Sequence, residues 1–358
     1  MKVFNFNAGP AALPAVVMER AQKEFCDYHG SGCGIMEHSH RNKLFDEILA
    51  HANENIRKIM GVPENYDVVY IQGGASLQFA MIPMNLAIPG KPMEFADTGT
   101  WSSKAMKEAA LFGVVKAIAS SKADKYTYIP DVDGMKPSAD ASFFHITSNN
   151  TIYGTQYRKF PESPCPLIAD MSSDIMSRKV DVSKFGLIYA GAQKNLGPSG
   201  MAVVIIRKDL VSRTPANVPT MLRYATFTEN NSLYNTPPTF GIYMLSLVTD
   251  WVLEQGGIDA IEKINDQKAA ALYEGIDSSD GFYRSPVRKD SRSRMNVVFR
   301  LPSEELEAKF VKEAIAAGMI GLKGHRSVGG IRASIYNAMT MEGIERLLKF
   351  MADFRKNN

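Results

Sequence analysis

The sequence predicts an α/β protein whose larger part is a mostly parallel, seven-stranded sheet flanked by helices. Short apolar runs alternate with helical or loop segments between residues 67 and 206. The runs are nearly continuous, which is typical of strands buried on both faces, and their alternation with helices favours a doubly wound sheet. The seven runs are Val68–Ile71, Met93–Ala96, Val114–Ala119, Phe143–Thr147, Leu167–Ala169, Leu187–Ala190 and Met201–Ile206.

Two helices are expected after the sheet. The first runs from Pro237 to about Glu254, with Thr236 as its cap and prolines in its first turn, and it ends at Gly256 and Gly257. The second spans about residues 259–275.

The remaining sequence predicts a smaller α+β domain. A strand at Met295–Arg300 precedes a helix near Ser303–Ala317, then short strands follow at Met319–Leu322 and Gly330–Ile335. A last helix repeats apolar residues at helical spacing. We therefore expect a large domain at residues 16–258 and a small domain formed by residues 1–15 and 259–358.

Composition excludes several classes of function. The chain has 358 residues, 45% of them hydrophobic, and a net charge of only +3, without a dense basic run, so no nucleic-acid partner is expected. No apolar run reaches the roughly 18 residues of a membrane span. The three cysteines lack metal or redox spacing. With no secretory signal visible, we expect a cytoplasmic location.

The most informative segment places a lysine between two apolar runs. Lys194 lies in the Gly-rich turn between Leu187–Ala190 and Met201–Ile206, and Asp170 ends an earlier run. Ligands of open α/β sheets collect at the carboxyl ends of the strands. A lysine that forms an imine and an acid that holds a ring nitrogen protonated are what pyridoxal phosphate requires. The alternative is that Lys194 is an ordinary surface lysine.

A second turn suits a phosphate group. Gly73 and Gly74 separate a strand from a helix, and Ala75 and Ser76 open that helix, where free amides favour an anion. An ordinary glycine turn explains the spacing equally well. Neither dinucleotide nor P-loop spacing follows a strand, so those two readings lose their main support.

Two further residues follow strand ends. Trp101 opens a helix, where its indole could lie against an aromatic ligand. Thr151 lies in a turn and could donate to a ligand oxygen. Each has an ordinary structural alternative, a packing tryptophan and a turn threonine.

Cationic residues form three groups. His40 and Arg41 are adjacent, as are His325 and Arg326, and Arg332 lies on a short strand. Metal binding is disfavoured because no third ligand has suitable spacing. Histidine and arginine cations suit phosphate or carboxylate, and an arginine on a strand suits two-bonded capture of a carboxylate, although a salt bridge is the alternative.

Taken together, these motifs resemble the class V aminotransferases, which are pyridoxal-phosphate enzymes of fold type I. The resemblance extends over nearly the whole chain. It is carried by Phe6-Asn-Ala-Gly-Pro10, His38-Ser-His-Arg41, Gly73-Gly-Ala-Ser76, Asp170-Met-Ser-Ser, Gly191-Ala-Gln-Lys194-Asn-Leu-Gly-Pro198, Tyr234-Asn-Thr-Pro-Pro238, Gly324-His-Arg326 and Gly329-Gly-Ile-Arg-Ala-Ser-Ile-Tyr-Asn-Ala338.

The resemblance implies a role for each candidate residue. Lys194 and Asp170 would be catalytic, the first as the imine lysine and the second as the partner of the pyridine nitrogen. Trp101 would stack on the ring and Thr151 would support it. The cofactor phosphate would be held by Ala75, Ser76 and Gln193 and, from the partner subunit of a homodimer, by Asn235 and Thr236. The substrate anions would contact His40 and Arg41 across the dimer interface, and His325, Arg326 and Arg332.

The implied reaction is reversible amino transfer between L-glutamate and 3-phosphohydroxypyruvate, giving O-phospho-L-serine and 2-oxoglutarate. A second role on a related phosphorylated 2-oxo acid of pyridoxine biosynthesis stays open. One departure is that some family members carry arginine where this chain has Ser76, so a cationic contact to the substrate is in doubt.

Three other functions compete with this one. A cysteine desulfurase of the same fold needs a thiol after the lysine, but no cysteine follows Cys165. An alanine- or serine–glyoxylate type transaminase would not need the cationic pair at His325 and Arg326. A catalytically silent binding protein would not need both Lys194 and Asp170.

Overall fold

The computed structural model describes residues 2–358. The helices are α1 Ala15–Glu24, α2 Lys43–Met60, α3 Gly74–Leu86, α4 Thr100–Ala109, α5 Lys208–Val211, α6 Tyr224–Glu229, α7 Thr239–Glu254, α8 Gly257–Asp277, α9 Glu304–Ala316 and α10 Met341–Lys356. The strands are β1 Phe4–Asn5, β2 Tyr66–Gln72, β3 Met93–Asp97, β4 Val115–Ser120, β5 Phe143–Thr147, β6 Asn149–Asn150, β7 Thr155–Gln156, β8 Leu167–Asp170, β9 Leu187–Gly191, β10 Met201–Arg207, β11 Asn296–Phe299, β12 Met319–Ile320 and β13 Ile331–Ser334.

The main sheet has seven strands in the order β2-β10-β9-β8-β5-β3-β4. All neighbouring pairs from β9 to β4 are parallel, while β10 runs antiparallel to both β2 and β9. Each of the seven apolar runs forms one strand, and the prediction of a mostly parallel seven-stranded α/β sheet is confirmed. The strands β5, β8 and β9 are buried along their whole length, as expected when helices cover both faces.

Helices cover the two faces of this sheet with separate apolar layers. Phe79 and Ile82 of α3, Ala105 of α4 and Phe227 of α6 pack on one face. The other face is covered by α2 and α7, which also pack against each other. The sheet therefore lies in the middle of a three-layer body, and ligands are expected at the carboxyl ends of its strands.

A second apolar core lies outside these layers. It is built from α9, α10, the second half of α8 and the strand pairs β1–β12 and β11–β13. Phe4 and Phe6 belong to it because β1 pairs with β12 in parallel. The first half of α8 packs on the main body through Ile261, whereas Ala269 and Leu272 pack in the second core. The boundary between domains at residue 258 stays a prediction.

The start of α9 follows the sequence prediction, whereas the start of α7 does not. Ser303 caps α9, since its side chain accepts from the Leu306 amide. Thr236 does not cap α7: the helix begins at Thr239 after Pro238, whose φ of −73° and ψ of 73° are not helical, and no side chain caps it. That part of the sequence prediction was wrong, because Pro238 restricts the residue before it to extended backbone. None of the helices within residues 2–358 is long and apolar enough to cross a membrane.

Candidate active site

The site is built around two neighbouring parallel strands, β8 and β9. Asp170 is the last residue of β8, and Lys194 follows the end of β9. The backbone amides of Lys194, Leu196 and Gly197 all donate to the carbonyl of Ala192, at 2.8, 3.2 and 2.9 Å. This tight turn lifts the Lys194 side chain to the edge of the sheet, as the sequence predicts.

The Lys194 amine is a weaker base than an ordinary lysine. Burial, with a smaller contribution from Arg332, lowers its pKa from 10.5 to about 8 despite the opposing effects of Asp170 and Asp174. A substantial fraction of the amine is therefore neutral near pH 8. A neutral amine is the form that attacks a carbonyl group.

Hydrogen bonds hold the Asp170 carboxylate in place at the same edge of the sheet. Its Oδ1 atom accepts from the backbone amide of Ser172 at 2.9 Å and from the Ser172 hydroxyl at 2.5 Å. That hydroxyl in turn accepts from the Gly191 amide at 3.0 Å, which ties Asp170 to the turn of Lys194. Burial raises the pKa of Asp170, whereas the Lys194 amine and the Ser172 donors oppose the change.

Both groups line one cavity of about 530 Å³, a size typical of cofactor sites. The N-terminal segment closes one side of it: Cα of Gly9 lies so close to Lys194 that an added Cβ would be 3.7 Å from Lys194 Cγ. Predicted site residues that line this cavity are Ala75, Ser76, Trp101, Thr151, Asp170, Gln193, Lys194, His325 and Arg332.

The start of α3 forms an anion cradle on the wall of the cavity. Gly73 and Gly74 adopt φ angles of 92° and 63°, which favour glycine, and they turn the chain sharply from β2 into α3. The first turn has no acidic residue and no side-chain cap. Its amides are therefore left to an anion, to which the Ser76 hydroxyl can add a donor.

The Trp101 indole is fixed at another wall. Its Nε1 donates to Thr151 Oγ1 at 3.0 Å, so Thr151 positions the ring. The Lys194 Nζ atom lies 6.0 Å from the ring centroid. The start of α4 is itself held by Asp97, which accepts from the hydroxyls of Ser102 and Ser103 at 3.2 and 2.8 Å.

Arg332 and His325 bring positive charge from the second core. Arg332 Nη1 donates to the Thr151 carbonyl at 3.2 Å, and its buried Nε has no protein partner within residues 2–358. His325 Nδ1 accepts from the Ser327 amide at 3.2 Å, so its neutral ring carries the proton on Nε2. Burial, then Arg332, Arg326 and Lys104, lower the pKa of His325.

Five predicted residues lie outside this cavity. Arg326 is exposed beside His325. Arg41 Nε donates to His40 Nε2 at 3.3 Å in the loop before α2. Asn235 and Thr236 precede α7, where the Thr236 carbonyl accepts from Gln72 at 2.9 Å. The contributions expected from a partner subunit stay predictions.

Sequence reasoning missed several supporting residues. Ser172 was visible only as a serine two residues after Asp170, and Gly9 only as part of an N-terminal motif. Tyr189, in register with Asp170, contacts His145 through a 2.9 Å hydrogen bond. Burial lowers the pKa of His145 to about 3, so this buried pair is neutral. Within residues 2–358 no cluster of three or more His, Cys, Asp or Glu is arranged to hold a metal ion.

Comparison with known proteins identifies the class. A family model described as aminotransferase class-V matches residues 3–347. The chain belongs to the class V aminotransferases, and it is a pyridoxal-phosphate-dependent transaminase. The cavity fits this cofactor: it joins a depressed-pKa lysine, a buried acid and an uncapped helix start with free amides.

Individual relatives indicate a more specific activity than the family model does. The chain is 56% identical over 355 residues to phosphoserine aminotransferase of Geobacillus kaustophilus, covering 99% of each chain. It is 56% identical over 354 residues to that of Bacillus subtilis, covering 99% of this chain and 98% of the relative. The structure of phosphoserine aminotransferase from Bacillus circulans subsp. alkalophilus matches with a TM-score of 0.98 at 53% identity, covering 99% of each. A pyridoxal-phosphate-bound phosphoserine aminotransferase from Trichomonas vaginalis matches with a TM-score of 0.93 at 39% identity, over 98% of this chain and 100% of that one.

Proposed function

We propose that this protein transfers an amino group reversibly between L-glutamate and 3-phosphohydroxypyruvate, giving O-phospho-L-serine and 2-oxoglutarate in serine biosynthesis. The observation that carries the proposal is the joint position of Lys194 and Asp170 in one cavity, with His325 and Arg332 at its edge. Such a cavity combines a nucleophilic amine, a buried acid and donors for anions. The full-length similarity to phosphoserine aminotransferases supports the substrate choice.

The residues that would hold the cofactor surround it from several elements. The amides of Ala75 and Ser76, with Gln193, would take the phosphate at the start of α3. Trp101, fixed by Thr151, would cover the ring, and Asp170 would hold the ring nitrogen protonated. When bound, pyridoxal phosphate supplies a carbonyl group that condenses with amines and a ring that withdraws electrons from the substrate Cα.

Lys194 has two tasks in this proposal. Its neutral amine would hold the cofactor covalently, and once freed by the substrate amine, Nζ would accept the proton from the substrate Cα and deliver it to the cofactor carbon. A pKa of about 8 suits both tasks, since the amine is neither permanently charged nor a weak base. The two half-reactions share these groups, so we expect ping-pong kinetics.

The substrate anions would be divided between two sites. Arg332 would take the α-carboxylate, because its guanidinium lies at the cavity and its Nε has no protein partner among residues 2–358. His325 and Arg326 would take the distal phosphate, with the Nε2–H of His325 as a donor. In this arrangement Lys194 and Asp170 would take part in the reaction, while Arg332, His325 and Arg326 would bind the anionic groups of the substrate.

A homodimer would complete the site. His40, Arg41, Asn235 and Thr236 lie outside the cavity of their own chain, so only a second subunit could bring them to it. Exposed apolar side chains lie on elements that pack on α7 or precede it, and they suit such an interface. They are Val16, Met18, Phe25, Met36 and Tyr234.

The same proposal covers the location of the protein, its division into domains and a second substrate. The protein would act in the cytoplasm, and residues 16–258 would form the large domain beside a small domain of residues 1–15 and 259–358. A second phosphorylated 2-oxo acid, that of the phosphohydroxythreonine step in pyridoxine biosynthesis, presents the same two anionic groups. It would therefore fit the same contacts.

The experiment is a substrate comparison with the purified, cofactor-loaded protein. We expect turnover with glutamate and 3-phosphohydroxypyruvate at a kcat/KM about 10- to 150-fold above that with glyoxylate and alanine, because one fully used charged contact contributes roughly 1.5–3 kcal/mol. Equal rates would favour the alternative, an alanine- or serine–glyoxylate type enzyme. Bound cofactor without amino transfer to any of these acids would identify a silent binding protein.

A further inference from the structure

The segment that follows strand β13 carries two buried residues without an assigned role. Residues 335–338 continue directly from β13, the strand on which Arg332 lies. Tyr336 and Asn337 of this segment are buried. Their hydrogen bonds lead to the two sides of Lys194.

A buried lysine holds this segment in place. The Lys268 amine, on α8, donates to three of its carbonyl groups. They belong to Ile335, Tyr336 and Met339, at 3.0, 2.8 and 3.0 Å. The Ile335 amide also donates to the Met295 carbonyl at 2.8 Å. Because its main-chain groups are bonded in this way, the segment is a firm base for the side chains it carries.

Asn337 connects the segment to the turn of Lys194. Its backbone amide donates at 3.0 Å to Oδ1 of Asn195, the residue directly after Lys194. Its Nδ2 donates to the Met176 carbonyl at 2.8 Å. Asn195 itself donates to the Ile175 carbonyl at 3.0 Å. One side of the Lys194 turn is thus fixed to the segment by hydrogen bonds.

Tyr336 connects the segment to the other side of Lys194. Its hydroxyl accepts from Asn296 Nδ2 at 3.1 Å and donates to the Ala8 carbonyl at 2.7 Å. Ala8 precedes Gly9, where an added Cβ would lie 3.7 Å from Cγ and 3.8 Å from Cε of Lys194. The backbone at Gly9 therefore packs along the methylene chain of Lys194.

The hydroxyl of Tyr336 is well placed to hold the N-terminal segment, residues 6–11, over the cavity. At its ends, the Phe6 amide donates to the Ile320 carbonyl and the Ala11 amide donates to the Gln193 carbonyl, both at 2.9 Å. Between these points, within the described residues 2–358, the Tyr336 hydroxyl forms the one hydrogen bond that joins residues 7–10 to another element.

We propose that Tyr336 is a positioning residue whose hydroxyl holds the N-terminal segment at Gly9 against the Lys194 side chain, which keeps the amine aligned in the cavity and shielded from water. This inference rests on the role of Lys194 in the proposed function. Tyr336 would act through Ala8 and Gly9, without touching the substrate or the cofactor.

The charges around Lys194 do not change when the Tyr336 hydroxyl is removed. The charged and titratable groups that face the amine are Asp170 on β8, Asp174 after it, and His325 and Arg332 on the opposite wall. Burial is the main cause of the low pKa of Lys194. A loosened N-terminal segment would admit water, so this pKa should rise from about 8 toward its ordinary value of 10.5.

The test compares Tyr336→Phe with a matched control, Tyr283→Phe. Tyr283 is buried in the second core, and its hydroxyl donates to the Met351 carbonyl at 2.8 Å. It does not line the active-site cavity. Both variants lose one buried hydroxyl bonded to a carbonyl, so we expect similar melting temperatures. An effect on Lys194 should appear in Tyr336→Phe alone.

The first readout is the rate at which the full-length, cofactor-free protein captures pyridoxal phosphate, measured against pH. In Tyr336→Phe the midpoint should rise by at least about 0.5 unit, and capture at pH 7 should slow at least about threefold, since the neutral fraction falls tenfold for each unit of pKa. Tyr283→Phe should match wild type. An unchanged midpoint in folded Tyr336→Phe, or an equal shift in Tyr283→Phe, would overturn the inference.

The second readout is amide hydrogen exchange of the cofactor-loaded proteins. The Ala11 amide should exchange at least about tenfold faster in Tyr336→Phe than in wild type or Tyr283→Phe, because the segment opens more often. Equal exchange would overturn the inference. Should Tyr336→Phe not fold, wild type decides: exchange of residues 6–11 as fast as in an unstructured peptide would overturn it, and protection there would support it. Failure of wild type to turn over 3-phosphohydroxypyruvate would overturn only the proposed function, since capture needs no oxo acid.

Discussion

Replacing Asp170 by asparagine removes a buried negative charge and preserves the shape of the side chain. The Oδ1 atom of asparagine can still accept from the amide and hydroxyl of Ser172, which Asp170 contacts at 2.9 and 2.5 Å. The local structure should therefore survive. What is lost is the charge that would keep the ring nitrogen of the cofactor protonated.

The expected magnitude follows from the burial of Asp170. Removing one partner of a buried ion pair costs about 3–5 kcal/mol. At about 1.36 kcal/mol for each factor of ten, kcat/KM should fall roughly 10²- to 10⁴-fold. Asp170 is also the foremost group that holds up the pKa of Lys194, so that pKa should fall below about 8 in the variant.

The assay is single-turnover absorbance spectroscopy of each half-reaction, with cofactor content measured on the same samples. Both half-reactions should slow by similar factors, since both depend on the same ring. Asp170→Glu, which keeps the charge, should lose less activity than Asp170→Asn. A fully loaded Asp170→Asn enzyme whose rates stay within about threefold of wild type would refute the assignment of Asp170.

Three other perturbations have defined outcomes. The rate at which the cofactor-free protein captures pyridoxal phosphate should rise with pH through a midpoint near 8, because burial lowers the pKa of Lys194; a midpoint near the ordinary 10.5 would contradict this. Arg332→Ala should lower kcat/KM at least roughly 30-fold for glutamate and for the oxo acid, with Arg332→Lys less impaired, since truncating a buried charged contact costs about 2–5 kcal/mol; unchanged constants for both substrates would remove Arg332 from the site. Lys268→Met should lower the free energy of unfolding by about 3 kcal/mol in urea titrations, because the buried amine donates to three carbonyls at 2.8–3.0 Å that would lose their partner; a loss below about 1 kcal/mol would contradict that role.

Strand positions were predictable because buried parallel strands leave continuous apolar runs. The run at Phe143–Thr147 is the observed strand β5, and the other six differ from their strands by one or two residues at an end. The strand order was not predictable, since it depends on pairing between residues far apart in sequence. The antiparallel direction of β10 had a local signal: residues 192–200 are too few for a crossover helix.

From sequence, the site was predictable only at positions where the residue type itself indicates a chemical function. Lys194 and Asp170 stand out because an amine and an acid at strand ends have few purely structural uses. Ser172 and Gly9 do not, because their roles consist of a hydrogen bond and a close approach that appear only after folding. Thr151 was expected to contact a ligand; it lines the cavity and also accepts a hydrogen bond from Trp101, and its contact with a ligand stays a prediction.

The central claim is tested most directly by reducing the cofactor-loaded protein with borohydride and mapping the modified peptide by mass spectrometry. The account predicts one pyridoxyl adduct, on Lys194, and none on the same peptide of Lys194→Ala. An adduct on a different lysine of the wild-type protein, or no adduct at full cofactor occupancy, would contradict it.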